Sequence, residues 1–282
     1  MTLVELLVAL VLAGVVATSV TGVVVASGRA YRRQAATASV SVTLRALAAM
    51  LPLDLAGLDP ADSLGSDIVG MGRTGVAFKA VRSLSFLCGA PRIADLRSGA
   101  LTVAAEPRYG HRPPDMRRDS VFVYAEADPT DPEDDYWLRA DLRGGRPAGS
   151  CVDGGTGEVL EVAAVTPPGG LVDVRAGAPV LSYEVVQITA YRDRGGVWWL
   201  GVRLSGKAGG WGGIQPVLGP LSPGGLRFSY HAASGAATGE PREVRRIVAV
   251  AAARPARVAW GAMPDLEDSV RIEIGLRNGR RP

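Results

Sequence analysis

The 282-residue sequence contains few of the residues on which catalytic and metal sites depend. Two lysines, Lys79 and Lys207, stand among its 31 basic side chains, and there are two histidines and two cysteines. The histidines, His111 and His231, belong to no recognisable triad or metal motif, and no Walker lysine motif is present. This scarcity argues against an enzyme, and it leaves no cofactor predicted beyond a weak calcium candidate.

The two cysteines do not form a metal-ligand pattern, because Cys88 and Cys151 are 63 residues apart. If the soluble part of the chain lies outside the cytoplasm, a single disulfide is their natural pairing. Two buried free thiols are the alternative.

The basic residues are not gathered in one place. The formal net charge is +3, and paired arginines are scattered along the chain at Arg32–Arg33, Arg117–Arg118, Arg245–Arg246 and Arg280–Arg281. A nucleic-acid-binding protein usually concentrates such residues on one face or element. The sequence therefore predicts solvated surface and no nucleic-acid partner.

The chain does have a long apolar N-terminus. Residues 1–28 carry one ionisable side chain, Glu5, and no basic residue precedes the run as it would in a secretory signal peptide. About 20 apolar residues suffice to cross the hydrocarbon core, so the run predicts a transmembrane segment. A carboxylate in the bilayer costs roughly 2.5–3.5 kcal/mol or more, depending on its depth. Glu5 is therefore the first candidate site residue, and a positive charge is its expected partner.

Helical periodicity continues beyond the apolar run. Val40, Leu44, Leu47 and Leu51 recur at helical spacing and mark one face of an amphipathic helix. Pro52 is expected to end this helix. The predicted organisation is a transmembrane half-helix over 1–28, an amphipathic half-helix over 29–52 and a β-rich head domain over 53–282.

After Pro52 the pattern becomes one of strands and turns. Short alternating runs such as Arg271 to Ile274 are separated by Gly, Pro and Asp clusters, which favours antiparallel sheets with one solvated face. Residues 193–196 predict a hairpin turn, and residues 207–225, rich in Gly and Pro, predict a long irregular loop. The predicted fold class is α+β, with a long N-terminal helix packed on a mostly antiparallel β-sheet head.

Two patterns permit a ligand-binding interpretation and favour a simpler one. Residues Gly70 to Gly75 match the dinucleotide motif GxGxxG, but a strand is predicted after them where the motif needs a helix, so they predict a turn. The tryptophans Trp198, Trp199 and Trp211 suggest a contact surface. However, neighbouring residues of a strand point to opposite faces, which weakens the case for a shared platform.

An acidic segment from Asp128 to Asp135 holds five carboxylates in eight residues. Its oxygens suit calcium, but it lacks the spacing and the glycine of an EF-hand, so a solvated loop is favoured. The weak calcium candidates are Asp131, Glu133, Asp134 and Asp135.

The ten residues Met1 to Leu10, MTLVELLVAL, resemble the N-terminus of type IV pilin-like proteins: pilins, minor pilins and type II secretion pseudopilins. In that family prepilin peptidase cuts a basic leader after a glycine, and the new first residue, usually phenylalanine, is N-methylated. The resemblance implies that Met1 is the processed terminus, although this sequence shows no leader. Looser patterns at 219–221 and 224–230 look like the C-terminal strands of PilW-like minor pilins and of the J-type minor pseudopilin.

In that family the carboxylate that matches Glu5 interacts with the N-terminal amine of a neighbouring subunit. The resemblance therefore implies a structural subunit, a minor pilin or minor pseudopilin, that assembles through its helix into a type IV pilus or a type II secretion pseudopilus, in a tip or initiation complex. The implied partners are other minor pilins or pseudopilins, the major pilin, prepilin peptidase and inner-membrane lipid. The head is expected in the periplasm and, after assembly, at the filament tip. The alternative is a single-pass envelope-anchored enzyme or ligand-binding protein.

Overall fold

The computed structural model combines one long helix with one large sheet. It describes residues 2–61, 65–90, 100–104, 109–110, 112–131, 135–151, 154–166, 173–207, 209–255 and 266–276. Within these ranges the elements are α1 (Leu3–Leu55), β1 (Ile68–Gly72), β2 (Gly75–Phe86), β3 (Ala100–Ala104), β4 (Tyr109–Gly110), β5 (Ser120–Ala125), β6 (Tyr136–Ser150), β7 (Thr156–Thr166), β8 (Pro179–Arg192), β9 (Trp198–Leu204), β10 (Gln215–His231), β11 (Arg246–Ala253) and β12 (Asp268–Gly275).

The described strands form one antiparallel sheet with the order β12-β11-β10-β9-β8-β5-β6-β7-β3. Strand β8 is at its centre. One edge of β8 pairs with β2 from Pro179 to Thr189, whereas the other edge pairs first with β5 and then with β9. This arrangement confirms the predicted α+β class, a long helix packed on a mostly antiparallel sheet.

The helix packs on the sheet along its C-terminal part. No residue from Thr2 to Ser39 is buried, and the buried side chains begin at Val40. The apolar stripe predicted from the sequence faces β10, β11 and β12. Packing therefore starts eleven residues after Arg29, the predicted start of the amphipathic half. The buried stripe consists of Val40, Thr43, Leu44, Leu47, Leu51 and Leu55.

Pro52 does not end the helix, so the predicted boundary was wrong. The helix runs on to Leu55, and the amide of Ala56 donates to the carbonyl of Pro52 at 3.0 Å. A proline inside a helix cannot donate to the carbonyl four residues before it. Leu51 and Leu55 are both fully buried, and the apolar area that they bury offsets the missing hydrogen bond.

The predicted loop over 207–225 is also partly wrong, because β10 already begins at Gln215. The strand accommodates its glycines and prolines through irregular pairing. Its register shifts between Pro216 and Leu218, between Leu218 and Leu221, and again between Leu221 and Leu226. Such bulges are where proline and glycine are tolerated within a sheet. The first half of β10 pairs with β9 and the second half with β11.

Two turn predictions are confirmed. The amide of Asp193 donates to the carbonyl of Val197 at 2.9 Å and closes the β8–β9 hairpin, in which Gly196 has φ of 81°. Gly72 pairs with Gly75 at the end of the β1–β2 hairpin, so the GxGxxG match lies in a hairpin between two strands.

The described residues of the head form two hydrophobic cores. One joins the helix stripe to β1, β2 and β8–β12, and the other is built by β3 and β5–β7 together with the start of β8. Alternate residues of β8 share one face. On that face Val180 belongs to the second core and Val186 to the first, with the buried polar residues Ser182 and Glu184 between them.

A charged cluster fills this polar band between the cores. Both oxygens of the fully buried Asp119 accept hydrogen bonds of 2.8 Å from the guanidinium of Arg112. Arg112 Nη2 also lies 3.1 Å from Glu184 Oε2, and Arg82 Nε lies 2.5 Å from Glu184 Oε1. The hydrogen bond to Asp119 raises the pKa of Arg112. Two arginines thus balance two buried carboxylates, as burial of charge requires.

The helix stripe should dominate head stability. We expect Leu51→Ala to lower the free energy of unfolding by about 2–5 kcal/mol, because it empties a fully buried site. Val42→Ala removes an exposed side chain from the same helix and should change the value by less than about 0.5 kcal/mol. Urea unfolding of the full chain in detergent, followed by tryptophan fluorescence, measures both. Equal effects of the two substitutions would contradict the docking.

Tyr230 should give stability a pH dependence of defined sign. Its hydroxyl lies 3.2 and 3.1 Å from the carbonyl oxygens of Gly72 and Gly75, and burial raises the pKa of Tyr230 to about 12. In the unfolded chain a tyrosine loses this proton at about pH 10. The contribution is therefore complete below about pH 10 and is lost as the pH rises from about 10 to about 12. We expect a decline of roughly 2–3 kcal/mol over this interval.

Matched phenylalanine variants separate this contribution from that of other titrating groups. Tyr230→Phe should flatten the decline, whereas Tyr109→Phe, at an exposed position, should keep it. Urea titrations of each form across the alkaline range provide the measurement. An unchanged slope in Tyr230→Phe would refute the assignment.

Candidate assembly site on the N-terminal helix

The first turn of α1 is closed by a capping box. Thr2 is the N-cap, and its hydroxyl accepts from the amide of Glu5 at 3.4 Å. In return, Oε2 of Glu5 accepts from the amide of Thr2 at 2.8 Å. This reciprocal pair satisfies two of the amides that a helix leaves without intrahelical partners. The pattern T-x-x-E is visible in the sequence and is the signal by which Thr2 could have been predicted as the capping partner of Glu5.

The position of Glu5 also lowers the cost of its charge. The run from Leu3 to Gly28 is about 39 Å long as a helix, against about 30 Å for the hydrocarbon core. With the run centred in a bilayer, the first turn lies at the headgroup boundary, where a carboxylate costs less than at mid-depth. The positive end of the helix dipole favours the same charge. Met1, the expected processed terminus, lies outside the described residues.

The apolar run is long and apolar enough to cross a membrane. The mean hydropathy of its best 18-residue window is 2.5, and none of that window is buried within the chain. The hydroxyls in this segment donate to carbonyls of their own helix: Thr18 to Gly14 and Val15, Ser19 to Val15, and Thr21 to Ala17. These hydroxyls therefore bring no unpaired donor into hydrocarbon, which is the condition that a bilayer imposes.

A short exposed stalk separates the apolar run from the docked part of the helix. It comprises residues 29–39 and is about 16 Å long. Arg29, Arg32 and Arg33 are exposed there, as is Tyr31, and Arg32 Nε donates to the carbonyl of Gly28 at 3.1 Å. Tyrosine and arginine are residues that anchor a helix at the membrane–water interface. The stalk places them at the end of the apolar run.

Cys88 and Cys151 are bonded to each other in the structure, with a Cα–Cα distance of 5.1 Å. Cys88 follows the end of β2, and Cys151 follows β6. The bond thus joins two distant segments beside the second core, in which the neighbouring Leu87 is buried.

The acidic segment shows local hydrogen bonding. Asp128 Oδ1 accepts from both the amide and the hydroxyl of Thr130, which lowers the pKa of Asp128. The hydroxyl of Tyr124 donates to Asp135. Glu133 and Asp134 lie outside the described residues, and Asp131 is exposed. Within the described ranges no group of three or more His, Cys, Asp or Glu side chains is arranged to hold a metal ion, so calcium stays a weak prediction.

The candidate aromatic and histidine residues have separate contacts. Trp198 packs against the first core, whereas Trp199 Nε1 donates to Asp193 Oδ2 at 2.9 Å, as expected for opposite faces. The ring of Trp211 lies 4.9 Å from the guanidinium carbon of Arg203. His231 Nε2 lies 3.1 Å from Ser229 Oγ and its Nδ1 lies 3.1 Å from the carbonyl oxygen of Gly235. His111 lies outside the described residues.

No family model matches the sequence, and neither the curated proteins nor the solved structures contain a significant match to the chain.

Reduction of the Cys88–Cys151 bond should loosen the head. The bond closes a loop of 63 residues, so its loss should lower the free energy of unfolding by about 2–5 kcal/mol. The unreduced chain should also migrate faster on a denaturing gel than the reduced chain, and a double Cys→Ser variant should show no such difference. Identical migration of the wild type with and without reductant would disprove the pairing.

Proposed function

We propose that this chain is a structural subunit, a minor pilin or minor pseudopilin, that assembles through α1 into a type IV pilus or a type II secretion pseudopilus. Its work is assembly rather than catalysis. Before assembly the apolar run holds the subunit in the inner membrane, with the head in the periplasm. After assembly the same run packs among the helices of neighbouring subunits, in a tip or initiation complex.

The observation that carries the proposal is the unburied length of the helix. About 37 residues of α1, from Leu3 to Ser39, pack on nothing in this chain, although the first 26 are almost all apolar. A bare membrane anchor needs only about 20 apolar residues and no carboxylate in its first turn. A helix that moves from lipid to a helix bundle needs both a continuous apolar surface and a polar group that defines its register.

Glu5 supplies that polar group. A carboxylate has two oxygens and accepts several hydrogen bonds, so its bond to the Thr2 amide leaves room for a second donor. The proposed donor is the N-terminal amine of the adjacent subunit. Its positive charge would compensate the carboxylate when lipid headgroups and water are removed during assembly.

The capping box allows the two roles of Glu5 to be separated. Glu5→Gln keeps a side chain that caps the helix but removes the charge, whereas Thr2→Ala removes the capping hydroxyl but keeps the charge. We expect Glu5→Gln and Glu5→Ala to reduce incorporation into assembled filaments at least tenfold, or about 1.4 kcal/mol. Thr2→Ala should stay near wild type. Immunoblots of sheared filaments, from a host that lacks the native copy, give the measurement.

Membrane fractionation is the control, since all variants must reach the membrane at equal levels. If Glu5→Gln assembled like the wild type while Thr2→Ala failed, Glu5 would act as a helix cap alone. Wild-type assembly of both Glu5 variants would remove the basis of the proposal and favour an envelope-anchored enzyme or ligand-binding protein.

A further inference from the structure

The helix carries charge of one sign along most of its length. Between Glu5 and Asp54 the sequence contains four arginines and no carboxylate. All four are exposed in the structure, three of them in the stalk and one on the docked part: Arg29, Arg32, Arg33 and Arg45. The chain that leaves the apolar run is therefore positively charged, and a membrane surface with anionic phospholipid attracts such a segment.

A cleft of about 330 Å³ in the head adds two further arginines. Arg192, the last residue of β8, and Arg254, which directly follows β11, line it, and both are exposed. Nε of Arg192 donates to the carbonyl of Gly196 at 3.2 Å, which uses one of the five N–H donors of that guanidinium. The apolar wall of the cleft consists of Trp198, Pro220 and Leu221.

The neighbouring carboxylates lie outside the lining of the cleft. The carboxylate of Asp193 accepts from Trp199 Nε1 at 2.9 Å, and that of Asp268 accepts from the amide of Ser269 at 2.8 Å. Glu267, the residue before β12, is exposed. No carboxylate is among the described residues that line the cleft. The cleft therefore presents two guanidinium groups beside an apolar surface, which suits a phosphate group joined to an apolar chain.

The cleft lies beside the helix, near the point where docking starts. The hydroxyl of Thr43 donates to the carbonyl of Gly219 at 3.2 Å, and Gly219 directly precedes Pro220 in the cleft wall. Thr43 is three residues from Val40, the first buried residue of the helix. Along the helix axis it is about 22 Å from Gly28, the last residue of the apolar run. The cleft is thus at the end of the head that is nearer to the apolar run.

The length of the apolar run sets the height of this end above a bilayer. The run is about 39 Å long and the hydrocarbon core about 30 Å thick, so a helix tilt of roughly 40° fits one to the other. Gly28 then lies at the hydrocarbon boundary, and Thr43 lies roughly 17 Å above it. The headgroup layer takes up roughly 5–7 Å of this height. The remaining gap of roughly 10–12 Å is close to one Debye length, so the arginines of the cleft are attracted to the membrane surface.

Rotation of the tilted helix about its own axis moves the cleft between the upper and the lower side of the helix. On the upper side, the helix separates the cleft from the membrane. On the lower side, the head lies between the helix and the membrane, and the long side chains of Arg192 and Arg254 reach the headgroups. Attraction between these arginines and anionic lipid favours the lower position.

We propose that the cleft binds the phosphate group of an anionic phospholipid in the leaflet from which the stalk emerges, so that the head of the unassembled subunit lies on the membrane. The two guanidinium groups bind the phosphate oxygens, and the apolar wall contacts the glycerol and the first acyl carbons. The stalk arginines bind neighbouring headgroups. This contact requires the apolar run to lie in a bilayer, and it does not depend on assembly into a filament.

Reaction of arginines with phenylglyoxal, followed residue by residue by mass spectrometry, tests the contact in the full chain reconstituted into bilayer nanodiscs. Arg192 and Arg254 should react at least about fivefold more slowly in nanodiscs that contain phosphatidylglycerol than in nanodiscs of phosphatidylcholine alone. Arg227 and Arg242, which are exposed outside the cleft, should react at equal rates in both. A salt concentration of about 0.5 M should remove most of the protection, because it screens the attraction.

Matched variants provide a second readout, which is the quenching of tryptophan fluorescence by phospholipid spin-labelled at the headgroup. The double variant Arg192→Gln and Arg254→Gln should be quenched less than the wild type, because Trp198 in the cleft wall moves away from the membrane. The control variant Arg227→Gln and Arg242→Gln removes the same charge and should be quenched like the wild type.

Inorganic phosphate tests the other source of the same chemistry. Added to the chain in neutral detergent, it should protect the two cleft arginines no better than sodium chloride of equal ionic strength. Protection by phosphate that equals or exceeds protection by phosphatidylglycerol would indicate a site for a soluble anion and overturn the proposal. Equal reaction rates of Arg192 and Arg254 in the two kinds of nanodisc would overturn it as well. The protection should persist in Glu5→Gln, so a failure of the proposed assembly role is distinguishable from a failure of this contact.

Discussion

The packing of one helix stripe against the sheet is the interaction on which the rest of the molecule depends. The two parts of the helix suit different surroundings. Its first 26 residues suit hydrocarbon, whereas its last turns pack on the sheet of the head. Leu47, Leu51 and Leu55 are fully buried and connect these two parts rigidly. Because the helix is continuous from Leu3 to Leu55, any force on the apolar segment is transmitted to β10, β11 and β12.

The sequence predicted those features whose signal is local or periodic. The apolar run, the stripe from Val40 to Leu51 and the alternating strands follow from spacing alone, and so did the α+β class. Pro52 and the region after Lys207 were misjudged because their conformation depends on distant partners. Proline and glycine predict breaks, yet burial of Leu55 and pairing with β9 and β11 override that tendency at these two places.

The candidate site was predictable only in part for the same reason. Glu5 stands out as the one charge in an apolar run, and the T-x-x-E pattern would have identified Thr2 as its capping partner. By contrast, Arg192 and Arg254 are 62 positions apart in the sequence and share a cleft. They come together because the strand pairing aligns Arg192 with Trp198, Trp198 with Leu221, and Leu221 with Ala253, the residue before Arg254. The polar band is equally nonlocal, since Arg112, Asp119 and Glu184 meet through loop and strand geometry. Composition shows many arginines but not which of them converge.

A continuous helix connects the first turn, where Glu5 lies, to the docked head. Glu5 and Thr43 are about 57 Å apart along a continuous helix, with the capped carboxylate at one point and the start of the docked stripe, bonded to Gly219, at the other. A carboxylate that pairs with a neighbour's amine fixes axial position but permits rotation about the helix. Because α1 is continuous from Leu3 to Leu55, the proposed pairing of Glu5 with a neighbour's amine would fix the height of the head together with that of the apolar segment.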